Sequence, residues 1–411
     1  MIPFSPPKIT DAIVKAVEEV LRSGWITTGP KTKEFEKRIT EYCGCKSTLC
    51  LNSATAGLEL MLRWYGVGKG DEVIVPAYTY SATANVVIHC GAKVIFVDTN
   101  PHDFNICLRQ IEKAITSRTK VIMPVDFGGL PCDYDAINNL VNRKDIRKKF
   151  KPATKEQKQL KRVLVLSDAA HSIGATYKGK KTGSLTDVSV FSFHAVKNLI
   201  TAEGGAVCLN LPDASSLPAG RFDNEKVYRE LCIKSLHGQN KDALAKTQKG
   251  AWRYDIVEAG YKCNMTDMAA VMGLTELNTY DSDTLVKRKK ICKTYSNAFS
   301  KYSWAEIPIH KDNDRESSYH LYPLRIKGIN ESHRDAIIKA IFDHDVSVNV
   351  HFIPVPMMSF YKKLGYKIKN YPTAYDNYSR EISLPVFYDL SGQQVQTVIN
   401  AVIASVEKVI G

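Results

Sequence analysis

VLVLSDAAH (residues 163–171) and VSVFSFHAVKN (residues 188–198) each run from a near-continuous apolar stretch straight into polar, reactive side chains. A strand that is apolar on both alternating faces is covered on both sides, the condition of an inner strand in a parallel α/β sheet. Working outward from the strands Val163–Ser167 and Val188–Ser192, the same pattern recurs at Ser47–Leu51, Val73–Pro76, Val94–Val97, Lys120–Pro124 and Ala206–Leu209, with helix-like segments between. The expected fold is α/β: a mainly parallel seven-stranded sheet flanked by helices, in a large domain over residues 1–265. Beyond it the pattern changes to one long helix over Thr266–Lys290, mixed short strands and helices, and a last helix over Ser391–Ile410 opened by a serine cap. This reads as a smaller C-terminal α+β domain over residues 266–411, in keeping with a chain of 411 residues.

At 44% hydrophobic and 24% charged residues the composition is that of a globular protein, not a disordered one. The first residues, MIPFSPPKITDAIVKAVEEVL, place prolines where a signal peptide needs an apolar run, and no later stretch is apolar enough to span a bilayer. A cytoplasmic location without membrane insertion is expected. The ten cysteines are scattered, which favours reduced thiols, and Cys43 and Cys45 have poor spacing for zinc, so no metal is expected. The net charge of +13, from 56 Lys and Arg against 43 Asp and Glu, is concentrated in Asn142–Arg162. That segment reads as a solvated surface insertion. Only Phe150 interleaves with its charges, so a nucleic-acid partner is not expected.

In an open parallel sheet, ligands bind beyond the carboxyl ends of the strands. STLCL is followed there by NSATAGLEL, where Ser53, Thr55 and the Ala54 and Thr55 amides open a helix that could hold a phosphate. Simple N-capping by Ser53 explains the same residues and is the commoner use. VIVP leads to Tyr80, which could lie on a planar ring or merely pack. Asp168, directly after a buried strand, needs a partner. A helix end, His171 or a protonated pyridine nitrogen would each serve. Lys197 follows VSVFSF with Ser192 just before it, and a lysine held out of water loses its proton readily and can form a Schiff base. A phosphate cradle, a stacking aromatic, an acid and an imine-forming lysine on one sheet rim are together what pyridoxal 5'-phosphate requires.

The segments SGWITTGP, NSATAGLEL, GKGDEVIVPAYTYSATAN, SDAAHSIGA, FSFHAVKN, AEGGAV, SLHG, GYKCNMTDMAA and SVNVHFIP resemble the DegT/StrS group of nucleotide-sugar aminotransferases, fold-type I pyridoxal-phosphate enzymes. The resemblance runs from about Ser23 to the C-terminus. It implies that Lys197 carries the cofactor as a Schiff base, Asp168 pairs with the pyridine nitrogen and His171 lies near the ring's phenolic oxygen. Ser192, Ala54 and Thr55 would hold the phosphate and Tyr80 would stack on the ring. The family also implies a homodimer with sites completed across the interface, for which Trp252, Arg253, Lys262 and Asn264 are the candidate donated residues.

By the same resemblance, L-glutamate gives the amino group, leaving 2-oxoglutarate, and a nucleotide-linked keto sugar takes it. SGWITTGP and GYKCNMTD point to a UDP-linked 4-keto-6-deoxy-N-acetylhexosamine in polysaccharide biosynthesis. Relatives that act as sugar dehydratases carry histidine where this chain has Lys197. A non-catalytic regulator of the same fold would not need Lys197, Asp168 and Ser192 together. The length and basicity of Asn142–Arg162, and Pro356 and Met358 where many relatives are polar, are the departures expected to bear on substrate choice.

Overall fold

A computed structural model describes residues 1–213, 222–241 and 253–411. Seven strands build the main sheet: β1 Ser47–Leu51, β2 Glu72–Pro76, β3 Lys93–Val97, β4 Thr119–Ile122, β5 Leu164–Asp168, β6 Val188–Ser192 and β7 Gly205–Leu209. Their spatial order is β1-β7-β6-β5-β4-β2-β3. β6, β5, β4, β2 and β3 pair in parallel, whereas β7 runs antiparallel to both β6 and β1. The reversal sets Gly205 opposite Ser192, so the first residue of β7 lies at the carboxyl rim of its neighbours.

Strand alternation explains the layering. Leu49, Leu51, Val188, Val190, Val207 and Leu209 enter one core, while Cys50, Phe191, Ala206 and Cys208 enter a second on the opposite face. A third core gathers residues from Ile291 to Val406, joined by Ile2 from the N-terminus, around a sheet containing Tyr322–Ile326 and Glu381–Leu384.

The long helix expected over Thr266–Lys290 is broken: one helix covers Asp267–Leu277, a π-helical turn Tyr280–Thr284 intervenes, and a second runs over Leu285–Phe299. Asn278 and Thr279 are poor helix formers, and Tyr280 is pinned by its hydroxyl donating to the Ile173 carbonyl at 2.9 Å. The first piece packs closely, because a Cβ at Gly273 would lie 2.4 Å from Phe35. Its Asp267 carboxylate also accepts from the Gly29, Lys31 and Thr32 amides, capping a helix that has no side-chain cap of its own. The last helix has the expected serine start, with Ser391 and Gln394 forming a reciprocal capping box.

The basic segment folds as two short helices, Lys144–Lys149 and Lys155–Leu160. Ile146, Phe150 and Leu160 turn into the main core while most of the lysines face solvent. No helix of the described residues is long and apolar enough to cross a membrane, and all ten cysteines are free thiols.

Candidate active site

A cavity of about 400 Å³ opens at the carboxyl rim of β1, β2, β5 and β6, lined among others by Ser53, Ala54, Thr55, Tyr80, Asp168, His171, Ser192 and Lys197. All eight of these residues, each singled out from the sequence, therefore meet in one place, in the size range of cofactor pockets.

At the β1 corner, Ser53 is an ordinary N-cap, its hydroxyl accepting from the Ala56 amide at 3.1 Å. The Ala54 and Thr55 amides at the helix start are left without an acceptor among the described residues. β7 is fitted tightly against this corner: a Cβ at Gly205 would stand 2.4 Å from the Ala54 nitrogen, and one at Gly204 would meet Thr201 Oγ1 at 2.1 Å. Of the two glycines in AEGGAV, Gly205 is thus required by close backbone approach beside the two amides, whereas Gly204 is crowded by the Thr201 side chain. Ser192, buried across from Gly205, adds a hydroxyl to the same rim.

Asp168 ends β5 with only a trace of exposure. Burial raises its pKa, opposed by hydrogen bonds from Thr83 and the Ala170 amide and by the charge of Lys197. The Thr83 hydroxyl donates to Asp168 Oδ2 at 2.7 Å and lies 2.9 Å from the Thr79 hydroxyl. Thr83 escapes a reading by motif because it sits in the first turn of the Ser81–His89 helix and looks like routine helix composition.

Lys197 lies on a turn fixed from several sides. Its amide donates to the His194 carbonyl, Asn198 Nδ2 to the Ser318 carbonyl at 2.7 Å, and the Ile200 amide to buried Glu276 at 2.8 Å. Desolvation pulls the Lys197 pKa down to about 8, with Asp168 pushing the other way. At pH 7.5 roughly a quarter of the side chain is then the neutral amine, against about one part in a thousand for an ordinary lysine.

Three histidines crowd the wall. His171 and His320 are buried with ring centroids 4.3 Å apart, and burial pulls both far below the usual imidazole range. His320 Nδ1 pairs with Asn198 Oδ1 at 2.8 Å, whereas His171 Nδ1 is buried with no partner among the described residues. His351 shares the cavity, and Tyr80, the one largely exposed wall residue among those singled out, sets its ring 5.9 Å from Phe352.

Of the four residues suggested as donated across an interface, Trp252 lies outside the described residues. Arg253, Lys262 and Asn264 do not line this cavity, and Asn264 donates to Thr28 Oγ1 at 2.6 Å. Pro356 and Met358 pack toward the main core rather than the cleft, because the turn Val355–Met357 is drawn inward with Val355 and Pro356 buried. Their contrast with polar relatives therefore has no direct contact with the site.

The donor set fits pyridoxal phosphate on this chain's own features. Two unpaired helix-start amides and a serine hydroxyl suit a phosphate, the buried carboxylate suits a ring cation, the orphaned His171 nitrogen has a hydrogen bond to offer, and Lys197 is partly deprotonated. Sheet and site together define a fold-type I pyridoxal-phosphate enzyme. The chain belongs to the DegT/DnrJ/EryC1/StrS aminotransferase family, whose sequence pattern matches residues 7–147 and 152–403, and it is a pyridoxal-phosphate-dependent aminotransferase. It is similar to the putative sugar aminotransferase Spr1654 from Streptococcus pneumoniae in its PMP form, with 46% identity and a TM-score of 0.94 over 100% of both chains. Helicobacter pylori PseC, an aminotransferase involved in the biosynthesis of pseudoaminic acid, matches at 27% identity and TM-score 0.84 over 99% of both chains. The spore coat polysaccharide biosynthesis protein SpsC of Bacillus subtilis is 36% identical over 407 residues, covering 98% of this chain and 96% of SpsC.

Proposed function

We propose that the protein moves an amino group from L-glutamate to a nucleotide-linked keto sugar, a UDP-linked 4-keto-6-deoxy-N-acetylhexosamine, for polysaccharide biosynthesis in the cytoplasm. The observation that carries the aminotransferase chemistry is Lys197, a lysine shifted to about 8 in a cavity with Asp168 and Ser192. The sugar is supported by the names of similar proteins: SpsC for polysaccharide, and Spr1654 and PseC for sugar amination. The surplus of +13 favours an acceptor that carries a diphosphate.

Bound pyridoxal phosphate supplies a carbonyl carbon that takes up an amine and a pyridinium ring that accepts the electrons released when a substrate carbon loses its proton. The chain does the rest. The Ala54 and Thr55 amides and the Ser192 hydroxyl would donate to its phosphate, Tyr80 would cover its ring, and His171 would offer a hydrogen bond to its phenolic oxygen. Asp168, oriented by Thr83, keeps the ring nitrogen protonated. Lys197 Nζ holds the cofactor between turnovers, takes the α-proton of glutamate as general base, and delivers a proton to the sugar carbon in the second half of the cycle. The face of that delivery sets the configuration of the new amine.

Lysine rather than histidine at position 197 favours amino transfer over dehydration. The reading includes a homodimer in which Trp252, Arg253, Lys262 and Asn264 of one protomer complete the site of the other. Exposed Tyr254, Ile256, Val257 and Tyr261 in the same stretch fit a surface that is covered in the dimer.

The test is a panel of UDP- and dTDP-linked keto sugars incubated with ¹⁵N-amino-labelled L-glutamate. Expected is a ¹⁵N-labelled amino sugar with the UDP-linked 4-keto-6-deoxy-N-acetylhexosamine and much less with dTDP-linked 3-keto sugars. Label appearing preferentially in a dTDP or 3-keto product overturns the substrate, and loss of water without label overturns amino transfer.

A further inference from the structure

His351 lines the cleft and is joined through Nδ1 to a buried polar chain. Strand alternation puts the side chains of Glu381 and Ser383 on one face of the Glu381–Leu384 strand, and both are fully buried. His351 Nδ1 lies 2.9 Å from Ser383 Oγ, Ser383 Oγ is hydrogen-bonded to Glu381 Oε1, and Glu381 Oε2 accepts the His351 amide at 3.0 Å. The ring is held from outside by Phe4, stacked at 5.5 Å, and its carbonyl accepts the Tyr78 hydroxyl. His351 Nε2 has no partner among the described residues and is not among the buried unpaired atoms, and His351 lines the same cavity as Lys197.

We propose that Glu381, Ser383 and His351 form a proton relay that opens on the cleft at His351 Nε2 and exchanges a proton with the carbonyl oxygen of the keto substrate as an amine replaces it. The inference rests on the aminotransferase reading above. Two arrangements of the same heavy atoms, differing by one proton, satisfy every hydrogen bond. In one, Glu381 is ionised and accepts from Ser383, Ser383 accepts from Nδ1–H, and Nε2 presents a lone pair. In the other, Glu381 carries the proton and donates to Ser383, Ser383 donates to Nδ1, and Nε2 presents N–H. When an amine nitrogen bonds to a carbonyl carbon, the C–O bond breaks and the oxygen leaves as water carrying two protons that the nitrogen gives up. Nε2–H provides the first proton to the oxygen as the relay shifts to its ionised arrangement, Nε2 recovers one from the nitrogen, and a second round of the same exchange carries the other proton from nitrogen to oxygen, so the chain ends as it began. His351 is the group that meets substrate, and Ser383 and Glu381 are positioning residues behind it.

The electrostatics agree with this geometry. Burial pushes Glu381 up to about 8, opposed by Ser383, the His351 amide and the nearby Arg334 and Arg325. Burial, then the charge of Lys197, pulls His351 down to about 3. The exchangeable proton therefore rests on the carboxyl below about pH 8 and leaves it above, while the ring stays neutral in both arrangements. Tyr78, on the other side, is itself pushed up by burial and by Glu381, so it contributes no titration in this range.

The test is ¹⁵N NMR of histidine-labelled, cofactor-free protein across pH 6 to 9.5, with His351→Phe identifying the signal. The wild type is expected to switch from the Nε2–H to the Nδ1–H tautomer with a midpoint near 8, with no charged ring on either side. Glu381→Gln and Ser383→Ala are expected to hold one tautomer throughout. In the loaded enzyme they lower kcat for the full reaction by about tenfold to a hundredfold with little change in KM, and flatten its pH profile. A tautomer that does not follow pH in the wild type, or a switch that survives both substitutions, overturns the relay. Glutamate consumption without a carbonyl acceptor, run in parallel, separates the two ideas: its absence in the wild type defeats the aminotransferase reading, whereas its presence with a fixed tautomer defeats the relay alone.

Discussion

Replacing Thr83 by valine removes one hydroxyl and almost nothing else, since the two side chains share a shape. In the wild type that hydroxyl donates to Asp168 Oδ2 at 2.7 Å in a buried setting, and the Ala170 amide at 3.2 Å supports the other oxygen. A hydrogen bond to a charged group contributes about 1.5–3 kcal/mol. Losing it weakens the ionised form of Asp168, and hence the hold on a cationic ring, by roughly tenfold to a hundredfold in affinity. The direction with pH follows from the raised pKa of Asp168, which burial causes and Thr83 opposes. Without Thr83 the carboxyl takes its proton at a still higher pH, so the defect grows as pH falls and shrinks as pH rises. The assay is equilibrium titration of cofactor-free protein with pyridoxal phosphate at several pH values, read by absorbance, with thermal unfolding as a control for folding. A Thr83→Val protein that is well folded and binds within about twofold of wild type at every pH would refute the role given to this contact.

Asp168→Asn is expected to raise the Tm of the cofactor-free protein near pH 8 and to leave it unchanged near pH 4, because a carboxyl with a raised folded pKa loses its stabilising share as pH climbs through that value; calorimetry at the two pH values checks this. Gly205→Ala drives a methyl group to 2.4 Å from the Ala54 nitrogen and is expected to cost about 1–3 kcal/mol of stability, with a larger relative loss of phosphate binding, measured by denaturant unfolding and by cofactor titration. Capture of an aldehyde probe by Lys197 in the cofactor-free protein is expected to rise with pH to a midpoint near 8, and a midpoint above 10 in the rate profile would contradict the desolvated lysine.

The sheet was legible in the sequence because strands buried on both faces read as continuous apolar runs, and the site was legible because polar residues follow those runs at their carboxyl ends. Lys197, Asp168 and Ser192 are visible in that way. The direction of β7 was not, since an antiparallel strand buried on both faces carries the same apolar pattern as a parallel one; the glycines at its start were the available sign. The break near Asn278 was hidden by apolar periodicity on both sides of it, and only two weak helix formers marked the place. Thr83 and the Glu381–Ser383–His351 chain depend on contacts between distant segments. A threonine inside a helix and a glutamate in a strand gain meaning only when packing brings Asp168 or His351 against them. His320 is similar, set beside His171 by a strand from the C-terminal core.

The claim on which the rest depends is that Lys197 both binds the cofactor and moves the substrate proton. The direct measurement is the visible spectrum of the cofactor-loaded protein before and after L-glutamate, with 2-oxoglutarate quantified, in wild type and Lys197→Ala. The wild type should lose its visible band and release 2-oxoglutarate in proportion to bound cofactor, and Lys197→Ala should do neither. A wild type that neither colours with pyridoxal phosphate nor answers glutamate, or a Lys197→Ala protein that converts glutamate at the wild-type rate, would contradict it.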